Sequence, residues 1–128
     1  MKNKIILLGM LILAVFLIGC ERTTNTKEVK EDVQLIGEVK EFVMTAKQWE
    51  FVPETIKVNQ GDKIKLKITS TDVAHGFSLN EFGINEILEP GKTVEVEFIA
   101  DKRGTFNFFC SVICGEGHGN MNGKLIVT

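Results

Sequence analysis

Lys63-Ile64-Lys65-Leu66-Lys67-Ile68-Thr69 alternates polar and branched apolar residues at a strict period of two. A helix would spread those aliphatic side chains around its circumference. An extended strand puts them all on one face and the lysines on the other. Thr93-Val94-Glu95-Val96-Glu97-Phe98 repeats the pattern. The chain therefore contains strands with one wet and one buried face, and the fold must supply a second layer to cover the buried one.

The rest of the sequence from Leu35 onward reads the same way. Phe42–Ala46, Trp49–Phe51, Thr55–Val58, His75–Leu79, Thr105–Cys110 and Lys124–Thr128 are short runs of β-forming residues. Pro53-Glu54, Asn59-Gln60-Gly61-Asp62, Ser70-Thr71-Asp72, Glu89-Pro90-Gly91 and Arg103-Gly104 separate them with turn residues. No segment has a good helical pattern, and no internal repeat is visible. Seven or eight short strands predict an all-β antiparallel sandwich or small barrel. At 128 residues the chain holds one domain. It is long enough to bury a core without disulfide staples. The formal charge is −2 and becomes more negative if Lys2 and Lys4 are removed, so nothing points to nucleic acid.

Residues 1–20 differ from this pattern. Met1–Lys4 is short and basic, Ile5–Leu17 is almost wholly apolar, and Leu17-Ile18-Gly19-Cys20 precedes an abrupt polar turn. The apolar run is short for a membrane span of roughly 20 residues, so it reads as an export signal, with an uncleaved single span as the rival. Its ending resembles a bacterial lipoprotein signal, which implies cleavage before Cys20 and lipidation of Cys20. Residues 21–36 are charged and poor in large apolar groups, as in a flexible tether. The expected organisation is a signal segment over 1–20, a tether over 21–36 and a folded domain over 37–128. That domain is expected outside the cytoplasm, lipid-anchored to the outer face of the cell membrane.

The chemistry-bearing residues lie in one stretch, Cys110-Ser111-Val112-Ile113-Cys114-Gly115-Glu116-Gly117-His118-Gly119-Asn120-Met121. His75 is the only other histidine, and Cys20 the only other cysteine. Thiolate and thioether ligands select copper, and imidazole suits it too. Cys114, His118, Met121 and His75 would satisfy a mononuclear blue site. Cys110 is one soft ligand more than that site needs, and two thiolates on a short loop can bridge two copper ions. A disulfide and a Cys2His2 zinc site are the rival readings. Neither uses Met121, and the spacing fits no common zinc finger.

Cys-Ser-x-x-Cys-Gly-x-x-His-x-x-Met, preceded by Asp-Val-x-His-Gly-Phe, resembles the copper domain of cytochrome c oxidase subunit II. The likeness runs from about Val43 to Val127 and includes Gln48-Trp49-Glu50-Phe51, Pro53–Val58 and the Asn59–Asp62 turn. It implies a cupredoxin-like Greek-key β-sandwich carrying a binuclear CuA centre. By the same resemblance Cys110 and Cys114 are bridging thiolates, His75 and His118 terminal imidazoles, Met121 a weak thioether and Val112 a carbonyl ligand. The family usually has Glu at the Val112 position; a carbonyl ligand survives that change, a side-chain carboxylate for a neighbouring magnesium site does not. The family's usual N-terminal transmembrane hairpin is replaced here by the lipoprotein-type segment, which suits a free-standing carrier.

The implied function is one-electron transfer from a c-type cytochrome or small copper protein to a terminal oxidase or related reductase. No catalysis is expected of this chain alone, beyond a place as the electron-entry subunit of an oxidase. The alternative is a membrane-tethered copper chaperone for oxidase assembly, which the scarcity of methionine after residue 20 disfavours. A zinc- or disulfide-stabilised binding module is a third class. Around the ligands, Asp72 is read as support for the His75 loop or as a loop cap. Trp49 and Phe77 are read as core residues or as points of electron entry, and Glu116 as solvated.

Overall fold

The structure is a computed structural model and describes residues 37–128. The signal segment, Cys20 and the tether lie outside the described residues. Among the described residues nine strands form two layers: β1 (Val39–Lys47), β2 (Glu50–Val52), β3 (Thr55–Val58), β4 (Lys63–Ser70), β5 (His75–Leu79), β6 (Ile84–Leu88), β7 (Thr93–Ile99), β8 (Gly104–Phe109) and β9 (Asn122–Val127). One sheet has the order β2-β1-β4-β7 and the other β3-β9-β8-β5-β6. Two short 3₁₀ turns, Asn80–Phe82 and His118–Asn120, are the helical elements among the described residues.

The sandwich agrees with the sequence reading; the purely antiparallel pairing does not. β1 runs parallel to β4, and β3 parallel to β9. Both pairs are distant in sequence, and period-two patterning carries no information about the direction of a partner strand. β6 was not expected. Its Asn85-Glu86-Ile87 centre is exposed, so only its end residues Ile84 and Leu88 carry an inward signal. Trp49 lies in the β1–β2 turn rather than in a strand and is 40% exposed, which overturns its assignment to the core.

β4 and β7 behave as their patterns require. Ile64, Leu66 and Ile68 are buried, while Lys63, Lys65 and Lys67 face water. The lysines sit across from Glu97 and Glu95, with Nζ–O distances of 2.8, 3.5 and 3.8 Å. Exposed pairs of this kind contribute about 0–1 kcal/mol each, so they suit the register without determining it. The determinant is the aliphatic face.

Phe51 from one sheet meets Phe77 and Phe108 from the other. The ring centroids are 5.8 and 5.4 Å away, both nearly edge-on, and Phe77 and Phe108 are 5.2 Å apart. All three are essentially fully buried. The trio fixes how the ends of β5 and β8 approach each other. In a strand, residues two apart share a face. His75 therefore continues the inward face of Phe77, and Cys110 continues that of Phe108.

At the opposite end, buried Asp62 ties three segments together. Its carboxylate accepts the backbone N–H of Glu38 at 3.0 Å and of Asn59 at 2.8 Å, with Lys40 Nζ 3.6 Å away. The Asn59 hydrogen bond is the main cause holding this carboxyl below its usual range; burial opposes it, and the Glu38 bond and Lys40 assist.

Two outcomes follow. Phe108→Ala should lower unfolding stability by about 3–5 kcal/mol in a denaturant titration, since it leaves a cavity between the sheets. The stability advantage of the native chain over Asp62→Asn should be complete above the ordinary carboxylate pKa, near 4, and should disappear as pH falls through the lower folded-state value. Thermal unfolding from pH 7 to pH 3 measures it; a gap that widens on acidification contradicts the assignment.

Candidate metal centre

β8 ends at Phe109, and the chain then makes a loop that returns as β9 at Asn122. The loop closes on its own backbone. Cys110 N–H donates to the Met121 carbonyl at 3.0 Å, Met121 N–H to His118 O at 3.2 Å, and His118 N–H to Gly115 O at 3.2 Å. These bonds direct the Cys110, Cys114, His118 and Met121 side chains into one small volume. β5 brings His75 in from the neighbouring strand.

The two cysteines are free, with sulfurs 3.5 Å apart. Each sulfur has its own imidazole. His75 Nδ1 is 3.9 Å from Cys110 Sγ, and His118 Nδ1 is 3.7 Å from Cys114 Sγ. The Val112 carbonyl oxygen lies 3.0 Å from Cys110 Sγ, and Met121 Sδ lies 3.8 Å from Cys114 Sγ. The ligand atoms of His75, Cys110 and Cys114 all fall within 4.8 Å of one another. The six residues singled out in the sequence are thus brought together, in two lobes that meet at the sulfur pair.

Burial is uneven. His75 is completely buried, and Met121, Cys110 and Cys114 are nearly so, while His118 is half-buried and reaches the surface. Burial is also the main reason the Cys114 thiol is pushed up to about 11, with the adjacent Cys110 adding to it. A thiol held in this way keeps its proton at neutral pH until a metal displaces it.

The close approach of the loop depends on small residues. A side chain at Gly76 would start 2.2 Å from Ser111 Oγ and 2.8 Å from the Val112 nitrogen. Gly76 N–H points at Cys110 Sγ, 3.4 Å away. Gly117 lies under the Trp49 ring, where an added Cβ would sit 2.4 Å from an indole carbon.

Asp72 sits behind His75. Its Oδ1 is 2.7 Å from His75 Nε2, so the imidazole N–H donates to the carboxylate and Nδ1 is left facing the sulfurs. Burial works against the charge on Asp72. Donation from Gln48 N–H, His75 and Val73 N–H outweighs it and holds the carboxyl below its usual range. Phe77 is 1% exposed and packs in the aromatic trio, which removes it from any surface a partner touches. Trp49 lies over the loop, its indole N–H donating to the Cys114 carbonyl at 3.3 Å. Glu116 is exposed, as expected of a solvated side chain.

Three hydrogen bonds, from two residues, were not anticipated. Gln48 donates from its backbone to Asp72 Oδ2 at 2.7 Å and from its side chain to the Cys114 carbonyl at 2.8 Å. Ser111 Oγ donates to Asn85 Oδ1 at 2.8 Å, tying the loop to β6. The likeness includes both Gln48-Trp49 and the Ser of Cys-Ser-x-x-Cys, but without a contact for either.

A ligand set of two thiols, two imidazoles, a thioether and a carbonyl oxygen, converging in a buried pocket, fits copper. The chain is similar to known proteins in sequence and in fold. Cytochrome c oxidase subunit 2 of Thermus thermophilus is 39% identical over 77 residues, covering 60% of this chain and 57% of that protein. Nitrous-oxide reductase of Ralstonia nicotianae is 37% identical over 75 residues, covering 56% of this chain and 12% of the reductase. The chain thus spans little more than half of the first relative and a small part of the second. The periplasmic domain of cytochrome oxidase subunit II from Bradyrhizobium japonicum superposes with a TM-score of 0.63 at 26% identity, covering 69% of this chain and 83% of that domain. The Cupredoxin-like domain family matches residues 9–127, and on that match, with the two-sheet sandwich beneath it, the chain belongs to the cupredoxin-like family.

Proposed function

We propose that this chain transfers single electrons through a binuclear copper centre of the CuA type. The observation that carries the reading is the sulfur pair: two free thiols 3.5 Å apart, each with a separate histidine Nδ1 within 4 Å. A mononuclear site has no use for the second thiol–imidazole lobe. Cys110 and Cys114 would bridge, His75 and His118 would each terminate one lobe, and Met121 Sδ and the Val112 carbonyl would be weak additional ligands. Bound there, a copper pair supplies one-electron exchange shared between two metal ions.

The protein's own part is positional. Asp72 fixes the His75 tautomer, so that Nδ1 presents a lone pair to the site. Gly76 lets β5 come close enough for His75 to join the loop. Phe77 and Phe108 close the floor against water. The backbone bonds from Cys110 to Met121 and from His118 to Gly115 close the loop on itself. The names of the relatives support a terminal oxidase or related reductase as acceptor. A c-type cytochrome or small copper protein is the fitting donor, and the half-buried His118 with Trp49 beside it is the edge where exchange would occur. The periplasmic setting of the Bradyrhizobium domain supports an extracytoplasmic location, and the Leu17-Ile18-Gly19-Cys20 ending is what supports Cys20 as a lipid anchor.

A copper chaperone would keep its ligands open to exchange. The burial of His75, Cys110 and Met121 favours retention over delivery.

Reconstituting the full-length chain with Cu(II) under mild reduction tests the reading. Two coppers per chain and an EPR signal from an electron delocalised over both are expected. A single copper, or preferential retention of zinc, would sink it. Cys110→Ser should remove the delocalised signal; an unchanged spectrum would show that Cys110 does not bridge.

A further inference from the structure

We infer that Gln48 is a positioning residue that locks the two lobes of the metal centre to each other, and that this role belongs to its side-chain amide. The inference rests on the copper reading above for its consequence, but not for its geometry.

The contacts come from both ends of the residue. The backbone N–H of Gln48 donates to Asp72 Oδ2, and the other oxygen of that carboxylate meets His75 Nε2. The Gln48 amide donates to the Cys114 carbonyl. A carbonyl only accepts, so the side chain must present its NH₂ group there. Trp49 Nε1 donates to the same oxygen and fills its second lone pair. The peptide after Cys114 is thus held from two directions. One residue in the β1–β2 turn therefore spans from the support of His75 to the backbone of Cys114. Cys114 is in turn the neighbour of His118 and Met121.

Gly115 gives independent support. Its φ is +125°, a conformation that side chains rarely adopt. A Cβ there would lie 3.0 Å from Trp49 Nε1 and 3.1 Å from Gln48 Nε2. The position next to Cys114 is thus cleared of a side chain where the two donors approach. Removing the amide would leave Trp49 as the sole donor, at the longer distance. The Cys114 lobe would then be free to shift relative to the His75 lobe without disturbing the sheets.

A simple stabiliser of the β1–β2 turn and a clamp between lobes differ in how they couple to Asp72. If Gln48 holds one lobe against the other, its effect depends on Asp72 still holding the far end. The experiment is a double-mutant cycle in the full-length chain: native, Gln48→Ala, Asp72→Ala and the double variant, each checked for native far-UV circular dichroism. Should Gln48→Ala not fold, Gln48→Met keeps the stem and removes only the donors.

The first readout needs no metal: the rate of Cys114 alkylation by iodoacetamide, followed on its own peptide by mass spectrometry. Cys114 is buried, so loosening its loop should speed alkylation several-fold in Gln48→Ala. The second is copper affinity in competition with a chelator, together with the EPR hyperfine pattern. Loss of an outer hydrogen bond of this kind typically weakens metal binding about 10- to 100-fold. In the double variant the fold-changes should multiply to less than the product of the singles. Gln60→Ala, whose amide serves Asp101 and Arg103 far from the site, should behave as native in both readouts.

The inference is overturned if Gln48→Ala leaves alkylation and the EPR pattern unchanged, or if the two substitutions act independently. A native chain that takes up no copper would refute the copper reading instead. The alkylation cycle on the metal-free chain would still decide the role of Gln48.

Discussion

The contact between Phe77 and Phe108 governs more of this molecule than any polar interaction in it. The two rings lie on adjacent strands of one sheet and press against Phe51 of the other. Because strand side chains alternate, the residues two positions nearer the loop end inherit the same inward direction. Those residues are His75 and Cys110. The core therefore aims the first two candidate ligands before any hydrogen bond takes part. Aromatic burial of this kind contributes several kcal/mol per ring, against about 1 kcal/mol net for a single hydrogen bond. The candidate ligands thus rest on the strongest part of the fold.

The loop from Cys110 to Met121 solves a different problem. It must carry four side chains inward while its backbone stays near the surface. A long loop with free carbonyl and N–H groups would lose that geometry at little energetic cost. Here its first residue bonds to its last, and the 3₁₀ turn at His118–Asn120 bonds back to Gly115 and Gly117. Gly117 lets the Trp49 ring settle against the loop. The Trp49 ring thus covers the loop next to the half-buried His118.

Legibility in the sequence followed the range of the interaction. Period-two alternation disclosed β4 and β7, because burial on one face writes itself into every second residue. The ligand loop was legible because its residue types are rare and clustered. What stayed hidden depends on pairing across the chain. The parallel partners β1–β4 and β3–β9 have no local signature. β6 was missed because its central residues face solvent. Trp49 looked like a core residue by type, yet the turn holding it swings the indole over the loop, where glycines leave room for a ring. The Gln48 and Asn85 contacts span 66 and 26 positions of sequence between ordinary polar residues, and no periodicity marks them.

The two histidines show why the site cannot be treated as symmetric. Both present Nδ1 to a sulfur at similar distance. His75 is sealed in the core, and its far nitrogen is committed to Asp72. His118 sits on the loop with its ring partly in solvent. An imidazole fixed by a carboxylate and by packing resists displacement. One held by its own short turn depends on that turn's backbone bonds. The two lobes therefore differ in rigidity by construction: one is an extension of the core, the other an extension of the loop. Whatever fastens the loop to the core sets how far the lobes move apart, and for that reason the polar contacts of the β1–β2 turn matter out of proportion to their individual energies.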